Sequence, residues 1–237
     1  MATRITEVDW QTTPWGEISL RRRHDPILNH EVFEVLLNDE YLMSSSFTVA
    51  EQKLASLALS RVPGAGLRVL VGGLGLGYTA REVLLDGRVT QMTVVEAIGP
   101  VISWHRQGLV PLGHEVSSDQ RTTVLEGDFF DLMQRGADPC TAASWDVVVV
   151  DIDHSPRHTL APGNEWLYTE EGSSALAALL APEGVFALWS NDQPDEDYVQ
   201  VLQNHFPKVS ADVVAFPNPL QGGSSTNTIY VAQVAGR

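Results

Sequence analysis

The chain has 237 residues, 43% of them hydrophobic and 19% charged, enough to bury a sizeable core as one domain of ordinary size with a small appendage. Thirty acidic residues against fifteen basic ones leave a formal charge of -15, so the clustered cations that phosphate binding needs are lacking and no nucleic-acid partner is expected. No run approaches the length of a membrane span, and the single cysteine, Cys140, rules out an intramolecular disulfide and fits a reducing cytosol; a cytoplasmic protein without a membrane partner is expected.

In chain order, residues 1–47 read as a small N-terminal β cap. Its strands are expected at Glu17 to Arg22, Glu31 to Leu37 and Tyr41 to Phe47, separated by the turn-forming pairs Asp25-Pro26 and Asn38-Asp39. The basic run Arg21-Arg22-Arg23 reads as a solvated strand end. Thr48 to Glu51 has the form of a capping box, ahead of a helix in which Leu54, Leu57, Ala58 and Arg61 recur at helical spacing until Pro63-Gly64 ends it.

Residues 48–237 form the expected second unit, a Rossmann-like nucleoside-binding catalytic domain. Five apolar runs, Leu67 to Val71, Met92 to Glu96, Thr123 to Glu126, Trp145 to Asp151 and Gly184 to Ser190, are each followed by a segment of helical period. The helices are expected at Tyr78 to Leu85, Pro100 to Gly108, Phe129 to Gln134, Thr169 to Leu180 and Asp195 to Phe206. Continuous apolar strands joined by helices imply a parallel sheet covered on both faces. Asp212 to Phe216 and Thr226 to Val234 alternate like an antiparallel pair. The fold class is therefore α/β on the class I methyltransferase plan: a mainly parallel seven-stranded sheet with an antiparallel last strand.

The strongest local signal is Gly72-Gly73-Leu74-Gly75-Leu76-Gly77, where an apolar strand runs into a glycine loop that opens a helix. Glycines let the backbone turn sharply and approach a ligand, beside the free N–H groups of a helix start. A dinucleotide fingerprint begun at Gly73 would put its third glycine at position 78, which is Tyr78; the glycine stands one residue earlier, at Gly77, a spacing that favours an adenosyl sulfonium over NAD. Glu96 ends the second strand nineteen residues after Gly77, near the interval at which an acid meets a ribose diol. Asp128 either accepts from an adenine amino group, with Phe129 packing on the ring, or caps the following helix.

The fourth strand delivers Asp151-Ile152-Asp153-His154 at its carboxyl end, where open α/β sheets bind ligands. Asp151 follows four valines and emerges beside the presented ligand, where a carboxylate can take a proton from an amine or hold a cation. Asp153 stands as a second catalytic acid. Asn191 and Asp192, after the fifth strand, line an acceptor pocket or cap the loop. Asp153, His154 and His158 lack a firm ligand framework, so no metal is expected.

Together these residues resemble the spermidine synthase family, the polyamine aminopropyltransferases, over roughly residues 14–234. The resemblance rests on the β cap, the helix carrying Glu51, Gly72-Gly73 through Arg81-Glu82-Val83-Leu84, Val94-Val95-Glu96, Glu126-Gly127-Asp128 and Val149-Val150-Asp151. It implies transfer of an aminopropyl group from decarboxylated S-adenosylmethionine to a cationic amine acceptor, with release of methylthioadenosine. Glu96 would bind ribose, Asp128 adenine, and Asp151 would be general base and amine anchor; Glu51, His154, Asn191 and Asp192 complete the expected acceptor side. The glycine loop here carries no aspartate of the kind the resemblance implies for holding the aminopropyl ammonium. Two readings therefore stand beside the first: methyl transfer from S-adenosylmethionine itself to a small molecule, and a non-catalytic nucleoside-binding protein. A homodimer is left open.

Overall fold

The computed structural model describes residues 5–136 and 144–236; Cys140 lies outside them. The chain opens with a four-stranded antiparallel sheet in sequential order, β1 (Ile5–Thr13), β2 (Gly16–Asp25), β3 (His30–Leu37) and β4 (Glu40–Ser44). Three of these strands match the expected cap; β1 was not foreseen. As an edge strand it leaves most of its side chains exposed, so its sequence carries little period-two hydrophobic pattern. The basic run is also more than a solvated strand end. Arg23 pairs with Asp25 and Glu34 at 2.6 and 2.7 Å, while Arg21 and Arg22 reach Asp39 and Glu31.

The second sheet has seven strands, laid out from a chain of α1 (Val49–Arg61), β5 (Leu67–Gly72), α2 (Tyr78–Leu85), β6 (Val89–Glu96), α3 (Gly99–Gln107), α4 (Gly113–Ser117), β7 (Thr122–Glu126), α5 (Phe129–Gln134), β8 (Trp145–Val150), α6 (Glu170–Leu179), β9 (Leu180–Ser190), α7 (Glu196–Gln203), β10 (Lys208–Asn218) and β11 (Gly223–Gln233). A 3-10 helix, Pro162–Tyr168, precedes α6. The strand order is β10-β11-β9-β8-β5-β6-β7, and β11 alone runs against its neighbours, pairing antiparallel with both β9 and β10. Among the described residues no helix is long and apolar enough to cross a membrane.

Strand alternation divides the core between the two faces of this sheet. Val69, Val71, Val147 and Val149 pack with Leu54 of α1 and Val83 of α2. Leu70, Val148 and Val150 turn the other way, onto Phe129, Leu176 and Leu202 of α5, α6 and α7. The four valines of β8 are fully buried, each stabilising the sheet by roughly 1.5–3 kcal/mol on the usual scale for an apolar side chain. Their burial on both faces is what carries the next residue, Asp151, out at the carboxyl edge.

The expected capping box at α1 does not form. Thr48 is the N-cap residue, but its hydroxyl makes no cap hydrogen bond and instead accepts from the Gln52 amide at 3.0 Å. That leaves Glu51, in the first turn, free of capping duty and facing the cavity described next.

Candidate active site

The carboxyl ends of β5, β6 and β8 open on a cavity of about 420 Å3. It sits where the chain, having laid β6 and β7 on one side of β5, crosses to lay β8 and β9 on the other, the point at which open α/β sheets take ligands. The N-terminal sheet supplies the opposite wall, with Trp15, Tyr41 and Met43 among its residues.

The glycine loop is fixed from both sides. Asp151 N–H donates to the Gly72 carbonyl and Gly73 N–H to that of Val95, each at 2.9 Å. Gly73 has φ +91°, and a Cβ there would lie 2.3 Å from the Asp151 carbonyl oxygen, a clash with backbone that nothing can relieve. Gly75 has φ +48°, and a Cβ there would lie 2.1 Å from the terminal methyl of Met43. Both residues line the cavity. Gly72 and Gly77 do not; they let the Phe129 ring and the His105 imidazole pack against the loop. His105 Nε2 lies 2.8 Å from the Gly75 carbonyl, a support that sequence reading missed.

Glu96 is buried at the end of β6 and lines the cavity. Its Oε2 accepts from the N–H groups of Leu74 at 2.9 Å and Gly75 at 3.4 Å, and its Oε1 from that of Ile98 at 2.9 Å. Burial holds this carboxyl above its ordinary range in spite of those donors. Asp128 both caps α5, its Oδ1 accepting from Phe130 N–H at 2.9 Å, and lines the cavity. The two readings of its sequence position are thus compatible. Phe129 also lines the cavity, though its ring is almost wholly buried against Gly72 and stands edge-on to Phe130.

Asp151 and Glu51 meet in the cavity wall from opposite elements. Burial pushes Asp151 up to about 6, against the lowering effect of the Thr79 hydroxyl, which donates to Oδ2 at 2.6 Å. Burial, then the Asp151 charge, pushes Glu51 up to about 8. Burial thus disfavours ionisation of both carboxyls, and the charge of one disfavours that of the other. His154 lines the same cavity.

Besides Gly72 and Gly77, three expected site residues on the catalytic and acceptor side are placed elsewhere. Asp153, read as a second catalytic acid, is 1% exposed and outside the cavity lining. Its carboxylate accepts from Leu160 N–H, Asn164 Nδ2 and Tyr168 Oη, each at 2.7 Å, so it staples the 160–168 segment rather than facing a reacting atom. Asn191 and Asp192 also lie outside the lining. Asn191 pairs with Asn227 at 3.2 Å, and Asp192 with His158 at 2.9 Å; the Ser155 hydroxyl and then that imidazole hold Asp192 below its ordinary range. Among the positions that join the cavity unforeseen are Trp15, Glu40, Tyr41, Met43 and Trp189.

Five carboxyl residues, Glu40, Glu51, Glu96, Asp128 and Asp151, line the cavity with one imidazole, His154, and among the described residues no lysine or arginine does. Such a lining attracts cations, and a partly ionised carboxyl pair within it can accept a proton. Among the described residues no group of side chains has the arrangement to hold a metal ion.

The spermine/spermidine synthase domain model matches residues 49–224. The chain is 35% identical over 127 residues to polyamine aminopropyltransferase 2 of Streptomyces coelicolor, a match covering 53% of this chain and 22% of that protein. It is 25% identical over 215 residues to the polyamine aminopropyltransferase of Pyrobaculum aerophilum, covering 85% and 70%. The chain thus spans well under half of the first relative and most of the second. In fold it is similar to a crystal structure of spermidine synthase in complex with the transition-state analogue AdoDATO, at TM-score 0.70 and 20% identity over 96% of this chain and 73% of that one. The spermidine synthase of Thermotoga maritima gives 0.67 and 20% over 96% and 72%. With a domain match over most of its length, behind a β cap and around a carboxylate-lined cavity at the sheet switch point, the chain belongs to the spermine/spermidine synthase family.

Proposed function

We propose that the protein is a group transferase that moves an aminopropyl group from decarboxylated S-adenosylmethionine to an amine acceptor. The observation that carries this reading is the cavity lining of five carboxyl residues with, among the described residues, no lysine or arginine. The decarboxylated donor is cationic at sulfonium and at ammonium, and the acceptor is an amine, so every charged group of the reaction finds an opposite charge there. A donor that retains its carboxylate, as methyl transfer requires, would bring a negative charge among those acids with no lysine or arginine to meet it. The relatives named polyamine aminopropyltransferase support the same choice.

In this reading Gly73 and Gly75 give the nucleoside its close approach to the backbone, Glu96 accepts from the ribose hydroxyls and Asp128 from the adenine amino group. The amine nitrogen forms a bond to the methylene carbon beside the sulfonium. The carbon–sulfur bond breaks and its electron pair remains on sulfur as a neutral thioether, methylthioadenosine. Asp151 takes the proton released from nitrogen, and Glu51 keeps its own proton, so that the pair does not carry two adjacent charges. No step calls for a metal. The division into a cap of residues 1–47 and a catalytic domain of residues 48–237, and a cytoplasmic location, belong to this proposal.

The test is direct. The protein, given decarboxylated S-adenosylmethionine and a linear diamine, is expected to release methylthioadenosine and a product heavier by one aminopropyl group. Release of neither, from a folded protein that binds methylthioadenosine, would leave methyl transfer or the non-catalytic reading in its place.

A further inference from the structure

We infer that Thr79 is a positioning residue for the reacting carboxylate: its hydroxyl fixes one oxygen of Asp151 so that the other is the atom presented to the amine. This rests on the proposed reading of Asp151 as the base. Thr79 stands in the first turn of α2, two residues after the glycine loop, and is 4% exposed. Its Oγ1 lies 2.6 Å from Asp151 Oδ2 and 3.4 Å from the Glu51 carbonyl oxygen. A hydroxyl has one proton, and the short contact to a carboxylate takes it. Asp151 Oδ1 has no hydrogen-bond partner among the described residues, while the Asp151 backbone is held by its N–H to Gly72.

Both anchors of Asp151, the Gly72 carbonyl and the Thr79 hydroxyl, therefore come from the β5–α2 segment that carries the glycine loop. The segment that would cradle the donor also sets the direction of the base, so a donor and a correctly aimed carboxylate are brought together by one piece of backbone. The titratable acid and imidazole groups that line the cavity with Asp151 are Glu51 on α1, His154 on its own loop, Glu40, Glu96 and Asp128. A hydroxyl bound to the ionised form favours ionisation, so without Thr79 the burial of Asp151 acts on it unopposed. The otherwise apolar buried face of α2, with Ala80, Val83 and Leu84, gives the hydroxyl no packing purpose that valine could not serve.

The experiment compares T79V, which keeps the shape, with T79S, which keeps the hydroxyl. Two readouts are taken: the acid limb of the kcat/KM profile for aminopropyl transfer, and the titration of the Asp151 carboxyl by carbon-13 NMR, assigned by its loss in D151N. In T79V both midpoints are expected to rise by about one pH unit, with kcat/KM on the acid limb falling about tenfold and methylthioadenosine affinity unchanged. T79S is expected to restore both. T79V and T79S that titrate alike, at the wild-type midpoint, would overturn the assignment. A wild-type protein without turnover would defeat the aminopropyl reading, while the NMR titration would still decide the role of Thr79. T79A carries the same comparison if T79V does not fold.

Discussion

Two half-buried carboxyls in one cavity wall make the protein's stability depend on pH in a direction opposite to that of an ordinary salt-bridged acid. The folded state raises Glu51 from 4.5 to about 8 and Asp151 from 3.8 to about 6, so it prefers both in the protonated form. The stability this contributes is fully present below the ordinary values and is lost as pH rises through about 6 for Asp151 and about 8 for Glu51. E51Q keeps the shape and removes the titration. Its melting temperature is expected to exceed that of the wild type increasingly between pH 5 and pH 9; melting curves that stay parallel across that range would show that Glu51 ionises normally. D151N, in turn, is expected to lower turnover roughly 10²-fold or more while nucleoside affinity stays nearly intact, the usual scale for a positioned base. Steady-state kinetics beside methylthioadenosine titration separates the two quantities, and near-normal turnover would remove Asp151 from the chemistry.

The glycine loop shows how one element responds differently at neighbouring positions. At Gly73 an added methyl group meets the Asp151 backbone carbonyl, which is itself tied into the contact between β5 and β8. G73A is therefore expected to cost on the order of 1–3 kcal/mol in chemical denaturation, from the positive φ alone, and more from the clash. At Gly75 the obstacle is the flexible end of Met43, so G75A is expected to be eased by M43A, and G73A is not. A double mutant no more stable than G75A would contradict this. The same elements show what the sequence made legible. The helices Tyr78–Leu85 and Phe129–Gln134 stand where periodicity put them, because each begins at a sharp signal, the glycine loop and Asp128. The site residues on strand ends, Glu96 and Asp151, were equally readable, since an acid after a buried apolar run has one way to go. Residues whose role depends on partners far along the chain were not. Asp153 looked catalytic by its distance from Asp151, yet its three donors come from residues 160–168. The capping box expected at Thr48 to Glu51 does not form because Thr48 takes the Gln52 amide, and the wall formed by Trp15, Tyr41 and Met43 depends on how the N-terminal sheet lies over the cavity.

At the scale of the whole molecule, a formal charge of -15 and a cavity lined by five carboxyl residues act in the same sense. The field draws cations toward the site, so the association of a polycationic acceptor is expected to weaken as salt rises, whereas methylthioadenosine, which is neutral, is expected to bind with little salt dependence. The same lining separates the two donor molecules, which share their nucleoside and differ by one carboxylate. Two like charges about 6 Å apart at an effective dielectric constant of about 20 repel by about 3 kcal/mol, which corresponds to roughly a hundredfold in affinity. Calorimetric titration with decarboxylated S-adenosylmethionine and with S-adenosylmethionine, under one set of conditions, measures this difference. The account predicts that the decarboxylated donor binds about 10- to 100-fold more tightly, and equal or tighter binding of S-adenosylmethionine would contradict it.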